Sequence, residues 1–360
     1  MHIEWIDQFQ DIPLSPRQWN DLVSKNDTNT IFQTYEWFES WWKVFGKKHQ
    51  LVFLVAYDLD TIVGFVPLML VDNLYGNKSL HFAGDTNSDY CDFVIAGNHM
   101  NVISEFMKYI NTVVTDWNTI TLLNIPGQSI TLACLQTICH EQGYNIDVKH
   151  RVKAPALVID GRQEEALALV NKYSVKRHLR KINEHGGIEF INLNRKEQIM
   201  AYMDIFFEQH IERCRLKNME SQFVDKDNRQ LYIDLIESLN HTDWLLFSVL
   251  LHKGEPIAFH FGFNYNNKII WYKPTFSPSH RAYSPGTLML KCLVEYAVDI
   301  KSDELDFTIG DESFKSRFSN CIRTNQNVVM YRSKILCMFL MLMRKAYGRT
   351  YRIWQRAINK

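Results

Sequence analysis

Between residues 244 and 318 the apolar positions change their spacing from one segment to the next. Trp244 to Leu251 (WLLFSVLL) is apolar nearly throughout, and the HKGEP after it holds Gly254 and Pro256, residues suited to a reversal. Ile257, Phe259, Phe261 and Phe263 then alternate with Ala258, His260, Gly262 and Asn264, the period of a strand. An Asn-rich turn at Asn264 to Asn267 leads to a third strand, KIIWYKPTF, so the spacing predicts an antiparallel meander. From Ser284 the period lengthens. Leu290, Leu293, Val294 and Ala297 recur at helical spacing, behind Ser284 as N-cap and Pro285 at the first helical position. ELDFTIG (Glu304 to Gly310) returns to alternation before breaking at Asp311.

The front of the chain repeats this order. A short first strand and helical segments to residue 50 precede a hairpin, Leu51 to Tyr57 and Thr61 to Leu70, and a strand at Ser79 to Phe82. A helix from about Met100 to Val114 and a strand from Asn118 to Ile125 follow. FLVAYDLDTIVGFVPLML lines up with FSVLLHKGEPIAFHFGF, and TLLNIPG with LDFTIGD. The offset of about 190 residues is too long for a solenoid and predicts two related domains. Their boundary is expected near 150 to 162, where Ala154-Pro155 and Asp160-Gly161 interrupt the pattern, giving domains 1–155 and 156–332 and a tail 333–360. The copies differ: Ala96-Gly97-Asn98-His99 stands where the second copy has Ser284-Pro285-Gly286-Thr287, and Gly127-Gln128-Ser129 stands in place of the acidic Asp311-Glu312-Ser313-Phe314-Lys315.

Between the copies the spacing predicts one helix from Glu164 to Glu184, carrying the basic run KRHLRK (Lys176 to Lys181), which suits either an anionic group or a solvated face. A strand at Gly187 to Leu193 and helices at Glu197 to Arg215 and Asn228 to Leu239 follow. The first of these ends with His210, Arg213 and Cys214 within one turn; no acid follows at a spacing that would orient a Cys–His pair. The aromatic run from Thr28 to Phe45 reads as a sugar-stacking platform or, better, as a helix packed between the two halves.

Composition narrows the function class. In 360 residues, 40 basic side chains balance 40 acidic ones, which argues against a dedicated nucleic-acid binder. The seven cysteines are scattered and lack metal-ligand spacing, so reduced thiols, a cytoplasmic location and no metal are expected. The N-terminus has no signal-peptide pattern. The run ILCMFLMLM (Ile335 to Met343), nine residues long, is short of the roughly 18 a spanning helix needs. With the basic residues behind it, it suits either a peripheral membrane contact or a core helix with a solvated tail.

The meander, strand, Gly-containing helix start and second strand match in order the acyl-CoA-binding half of a GNAT acyltransferase. AFHFGF, WYKPTF, SPGTLMLK and DFTIGDESFK closely resemble the signature of the CelD-type acetyltransferases of cellulose and exopolysaccharide biosynthesis. The resemblance covers nearly the whole chain and implies an α/β (α+β) protein of two tandem GNAT-like domains. Each would have a mixed, mostly antiparallel sheet flanked by helices, with the front copy degenerate. It also implies an N-acyltransferase using acetyl-CoA or another acyl-CoA and acting on an amino sugar, nucleotide sugar or envelope precursor.

Such chemistry needs an anchored pyrophosphate, a polarised thioester carbonyl and a base. The anchor falls to Ser284, Pro285, Gly286 and Thr287, where the free N–H groups of a helix start point outward, with Lys273 and Arg180 as accompanying cations. His260, between the small Ala258 and Gly262, is the first candidate base. Asp306 is the second, and Tyr272 a proton donor to the leaving thiolate. Asp311 and Glu312 are placed to bind a cationic acceptor, and Lys315, Arg317 and Arg213 to bind its anionic groups. The carbonyl is expected to meet a backbone N–H beside the strand. Two alternatives stay open: a FemABX-like transferase drawing on aminoacyl-tRNA, and a non-enzymatic subunit of a polysaccharide-synthesis complex.

Overall fold

The structure, a computed structural model, describes residues 1–72 and 78–333, with the backbone alone at 149–151. The expected turn at Asn73 to Asn77 and nearly all of the apolar, basic C-terminal segment therefore lie outside the described residues. In chain order the elements are β1 (His2–Ile6), α1 (Pro16–Lys25), α2 (Tyr35–Phe45), β2 (Gln50–Asp58), β3 (Thr61–Asp72), β4 (Lys78–Phe82) and β5 (Val94–Ile95). Next come α3 (His99–Thr112), β6 (Thr119–Pro126), α4 (Thr131–Gln142), β7 (Asn145–Val158), α5 (Gln163–Val170), α6 (Tyr173–Asn183), β8 (Glu189–Leu193) and α7 (Lys196–Arg215). The chain continues through α8 (Lys226–Leu239), β9 (Leu245–His252), β10 (Glu255–Tyr265), β11 (Lys268–Phe276), α9 (Pro285–Asp299), β12 (Glu304–Asp306), α10 (Ser313–Phe318) and β13 (Cys321–Tyr331).

The described residues form two compact units: 1–28, 48–72, 78–151 and 326–333 make the first, 29–47 and 152–325 the second. This division differs from a single cut at 155. The aromatic segment 29–47 counts with the second unit, because Phe32 and Trp37 set their rings against Phe263 and Tyr272 and α2 packs on α8. Ala154-Pro155, read as an interruption, lies inside β7, where the Pro155 carbonyl accepts from Phe307 N–H at 3.0 Å.

In the first unit the strand order is β1-β2-β3-β4-β6, with β5 paired to β3. All pairs are antiparallel except β4 with β6, which is parallel. Its core gathers Phe82, Phe93, Phe106 and Ile110 with residues of β2, β3, α4 and β13. The second unit has the order β7-β12-β11-β10-β9-β8, again antiparallel apart from one parallel pair, β11 with β12.

Period two on β10 decides which helices cover which face. Phe259 and Phe261 meet Phe206 of α7, and Phe261 also meets Tyr232 of α8. Ala258 and the inward residues of β11 and β12 pack on Leu290, Leu293 and Val294 of α9 and on Val170 and Val175. The helix expected as one piece from 164 to 184 is two. Asn171 ends α5 by bonding back to the Leu167 carbonyl, and Lys172 is extended, so Val170 and Val175 both reach the core.

Candidate active site

The site begins where a parallel pair stops. β11 and β12 pair at only three positions, ending at Ile270 with Asp306, while β11 runs on to Phe276. Asp306 turns the departing chain by accepting from Thr308 N–H at 2.7 Å, with Thr308 in the left-handed region (φ 56°). Phe307 N–H and Gly310 N–H then bond to Pro155 and Lys153 of β7. Beyond Ile270 no strand among the described residues pairs with that edge of β11, and a wedge opens.

β11 bulges at the same place. Phe261 faces Lys273 and Phe263 faces Ile270, so three steps on β11 oppose two on β10. The bulge frees the Ile270 carbonyl, and His260 Nε2–H donates to it at 3.2 Å. A Cβ on Gly262 would run into both the His260 ring and that carbonyl, so glycine is required there.

A cavity of about 310 Å³ runs from the wedge to the start of α9, lined by Trp271, Thr275, Phe276, Arg213 and Ser284 to Thr287 among others. Three buried polar atoms on its walls have no hydrogen-bond partner among the described residues: Trp271 Nε1, Thr275 Oγ1 and Arg213 Nε. Buried polar groups left this way are costly and mark where a ligand's own polar atoms fit.

The helix start is left open by its own cap residue. Ser284 is left-handed (φ 53°) and makes no side-chain cap; its Oγ lies 3.3 Å from His178 Nε2. Thr287 and Leu288 bond back to the Ser284 carbonyl, while the Gly286 N–H has no partner among the described residues. A Cβ on Gly286 would come within 3.3 Å of the Phe276 ring, so a larger side chain there would crowd the cavity. These features fit a phosphate-ended ligand: an uncapped amide, a bare α-carbon and cations nearby.

Burial depresses the His178 pKa, and Arg177, Lys181 and Arg317 add to the effect. Lys181 also reaches toward the Ala282 carbonyl and lies over Tyr283, just before the helix start. Arg213, Lys217 and Arg281 line the cavity itself. Deeper on α7, His210 is pushed down to about 3 by burial and then by Arg213, Lys273 and Lys217. Its Nδ1 lies 2.8 Å from Ser221 Oγ and 3.6 Å from Cys214 Sγ.

The expected site residues divide sharply. Ser284, Pro285, Gly286, Thr287 and Arg213 line the cavity. His260 does not: it is fully buried behind Trp271, stacked on that ring at 5.0 Å, and burial pushes its pKa down to about 3. The space beside the small Gly262 is occupied by the His260 ring itself, so the role of base is corrected to one of support. Asp306 is buried and engaged at the turn. Tyr272 lies among Phe32, Trp37, Tyr232 and Phe263, with Lys273 over its ring at 4.4 Å.

Arg180 is exposed on α6, and the neighbours that reach the helix start are His178 and Lys181. Lys315 is buried, with its Nζ donating to the Ile309 carbonyl at 2.6 Å and paired with Glu312, which corrects its reading as a phosphate ligand. Asp311 pairs with Lys153 at 3.3 Å, and Arg317 lies over Phe318. Glu312 is a carboxylate whose charge acts on Arg213. Trp271, Thr275 and His178 were missed. The signal for Trp271 was the run IIWY, apolar at both parities, which fits a bulged strand better than a regular one.

The corresponding helix start in the first unit is closed. Asn98 Oδ1 accepts from Asn101 N–H at 3.2 Å, His99 Nδ1 lies 2.9 Å from the Gly97 carbonyl, and Asp27 is 3.9 Å from His99 Nε2. Where β4 ends, Ala83 N–H still bonds to Pro67 of β3, the chain turns at Gly84 to Ser88, and it then meets β6 at Asn124, which donates from its side chain to the Ser88 carbonyl and accepts from Cys91 N–H at 3.1 Å.

Residues 171–316 match the family described as "Acetyltransferase (GNAT) domain". Among solved structures the chain resembles FemX, with a TM-score of 0.68 at 9% identity over 94% of this chain and 99% of that one. It also resembles a conserved protein of unknown function from Bacteroides thetaiotaomicron VPI-5482, with a TM-score of 0.60 at 14% identity over 92% of this chain and 100% of the other. No curated protein matches. Likeness at such identities concerns the fold; the match over residues 171–316 supports an acyltransferase activity of the GNAT type. Among the described residues no group of three or more His, Cys, Asp or Glu side chains is placed to hold a metal, and no helix is long and apolar enough to cross a membrane.

Proposed function

Starting from the GNAT domain, we propose that this chain transfers a short acyl group, acetyl foremost, from CoA to an amino group on a sugar, nucleotide sugar or envelope polysaccharide precursor. The observation that carries the donor half is the cavity joining an uncapped helix start to the apex of a strand wedge. The acceptor half rests on the motif resemblance to CelD-type acetyltransferases. In the reaction the acceptor nitrogen bonds to the acyl carbon, the C–S bond breaks with its electrons going to sulfur, and the nitrogen loses a proton.

The chain's residues divide the work by position. The Gly286 N–H and the cations Arg177, Lys181 and Arg317 hold the diphosphate. The open edge of β11 receives the extended arm, with Thr275 Oγ1 and Arg213 Nε available to its polar groups. Backbone N–H groups at the bulge face the developing oxyanion, and such preorganised donors are commonly a large share of catalysis. To Glu312, whose charge acts on Arg213 of the cavity wall, we assign the role of accepting the acceptor's proton, generally worth roughly 10² to 10⁴ in rate. A cytoplasmic site of action, with peripheral membrane contact through the tail, completes the proposal.

Calorimetric titration with acetyl-CoA tests it. Wild-type protein is expected to bind in the micromolar range, and Gly286→Arg, folded by circular dichroism, to bind at least 100-fold more weakly. Tight tRNA binding without acyl-CoA binding would select a FemABX-like aminoacyl-tRNA donor. Binding to neither would leave a non-enzymatic subunit.

A further inference from the structure

Trp271 occupies the place where the wedge closes. It is the first β11 residue past the last pair with β12, it forms part of the cavity wall, and it is nearly fully buried. Phe307 and Phe314 approach its ring at 6.3 and 6.4 Å and each other at 6.3 Å, so three aromatic rings close the apex. Behind the indole lies His260, stacked at 5.0 Å with planes 21° apart and fixed by the Ile270 carbonyl. The indole therefore has no room to retreat into the sheet.

Ser284 to Thr287 line the same cavity from its other end. From Phe276, beside the helix start, back to Trp271 is five strand steps, roughly 16 Å. A thioester held by its phosphates at α9 and extended along β11 brings its acyl end to Trp271. At about 310 Å³ the cavity is at the small end for a ligand pocket. Arg213 lies on α7, Lys217 just past its end and Arg281 on the approach to α9, whereas the apex is built from aromatic rings.

We propose that Trp271 sets the length of the transferred acyl group, forming an end wall that admits two or three carbons and excludes longer chains. His260 acts through it as a positioning residue. The inference rests on the acyl-CoA reading above and deepens it from the donor class to the acyl chain.

The test is calorimetric binding of free CoA and of acetyl-, propionyl-, butyryl-, hexanoyl- and octanoyl-CoA to the full chain. Wild type is expected to bind hexanoyl-CoA at least 10-fold more weakly than acetyl-CoA. Trp271→Ala should reverse that preference while changing affinity for free CoA by less than 3-fold. Trp271→Phe, which keeps most of the wall and removes the Nε1 donor, should retain the length limit. Should Trp271→Ala fail to fold, Phe314→Ala opens the same apex from α10 and should give the same reversal. Equal binding of acetyl- and octanoyl-CoA by wild type, or an unchanged chain-length ratio in a folded apex variant, would overturn this inference alone. Absence of binding to any CoA species in wild type would overturn it together with the reading beneath it.

Discussion

The two units share an order of elements and part company at four places in the chain. In the aligned segments Val66 and Leu68 of β3 stand where β10 has His260 and Gly262. β3 and β4 then pair at five consecutive positions without a shift, whereas β10 and β11 slip by a residue between Phe261 and Phe263. A leucine in place of Gly262 leaves no room for an imidazole over the bulge, so a regular ladder follows. Beyond the parallel pair, the first unit brings Ser88 and Cys91 against Asn124 of β6, while in the second no strand among the described residues pairs with the edge of β11 past Ile270. At the helix start, Asn98 closes one amide with its own side chain, whereas Ser284 turns to His178. The two copies differ here without a change of fold, through small substitutions that satisfy groups the other copy leaves unsatisfied.

The comparison is broken most severely by exchanging charges at the two starts. Gly286→Arg should abolish measurable acetyl-CoA binding, while Asn98→Arg should leave it within 3-fold; equal losses from both would mean that the first unit also binds. Next is Gly262→Leu, which installs the first unit's residue at the bulge. Overpacking of this kind costs about 1–3 kcal/mol, read by urea unfolding, and acyl transfer should fall by more than 10²-fold with a smaller change in acyl-CoA affinity.

A third expectation concerns acid. His210 and His260 are both held near 3 in the fold, against an ordinary value of 6.5. The unfolded chain therefore takes up their protons first. Stability should decline as pH falls below about 6.5 and level off near 3, with a slope of up to about 1.4 kcal/mol per pH unit for each histidine. His210→Phe should make the decline in urea midpoint shallower, and an unchanged slope would show that other groups govern it. The smallest effects concern the caps: Asn98→Ala should cost about 1 kcal/mol, and Ser284→Ala, which removes no cap bond, clearly less.

Local pattern carried much of this into the sequence. Phe259, Phe261 and Phe263 were legible as one buried strand face, and Leu290, Leu293, Val294 and Ala297 as a packed helix face; all are buried. The Ser284 to Thr287 start was legible because glycine and proline have fixed meanings at helix ends. What escaped depends on partners distant in sequence. The break at Asn171 serves the core positions of Val170 and Val175, β7 absorbs Ala154-Pro155 because Phe307 pairs with it, and the bulge exists only across two strands. His260 was misread because small neighbours on a strand suggest open space, and here they mark a ring already in place. Lys315 was misread similarly, since its charge is taken up by the Ile309 carbonyl and Glu312.

Residues 29–47 complete the aromatic cluster of a unit whose remaining chain begins at 152. On the ribosome this segment emerges more than a hundred residues before the sheet it joins, so the catalytic half cannot mature until synthesis is nearly finished. A clone beginning at 152 would leave Phe263 and Tyr272 without their cover and is expected to precipitate. Co-expressing the missing piece, or grafting it onto the new N-terminus, is the natural remedy. The two copies are thus inseparable by simple truncation, whatever their kinship as repeats.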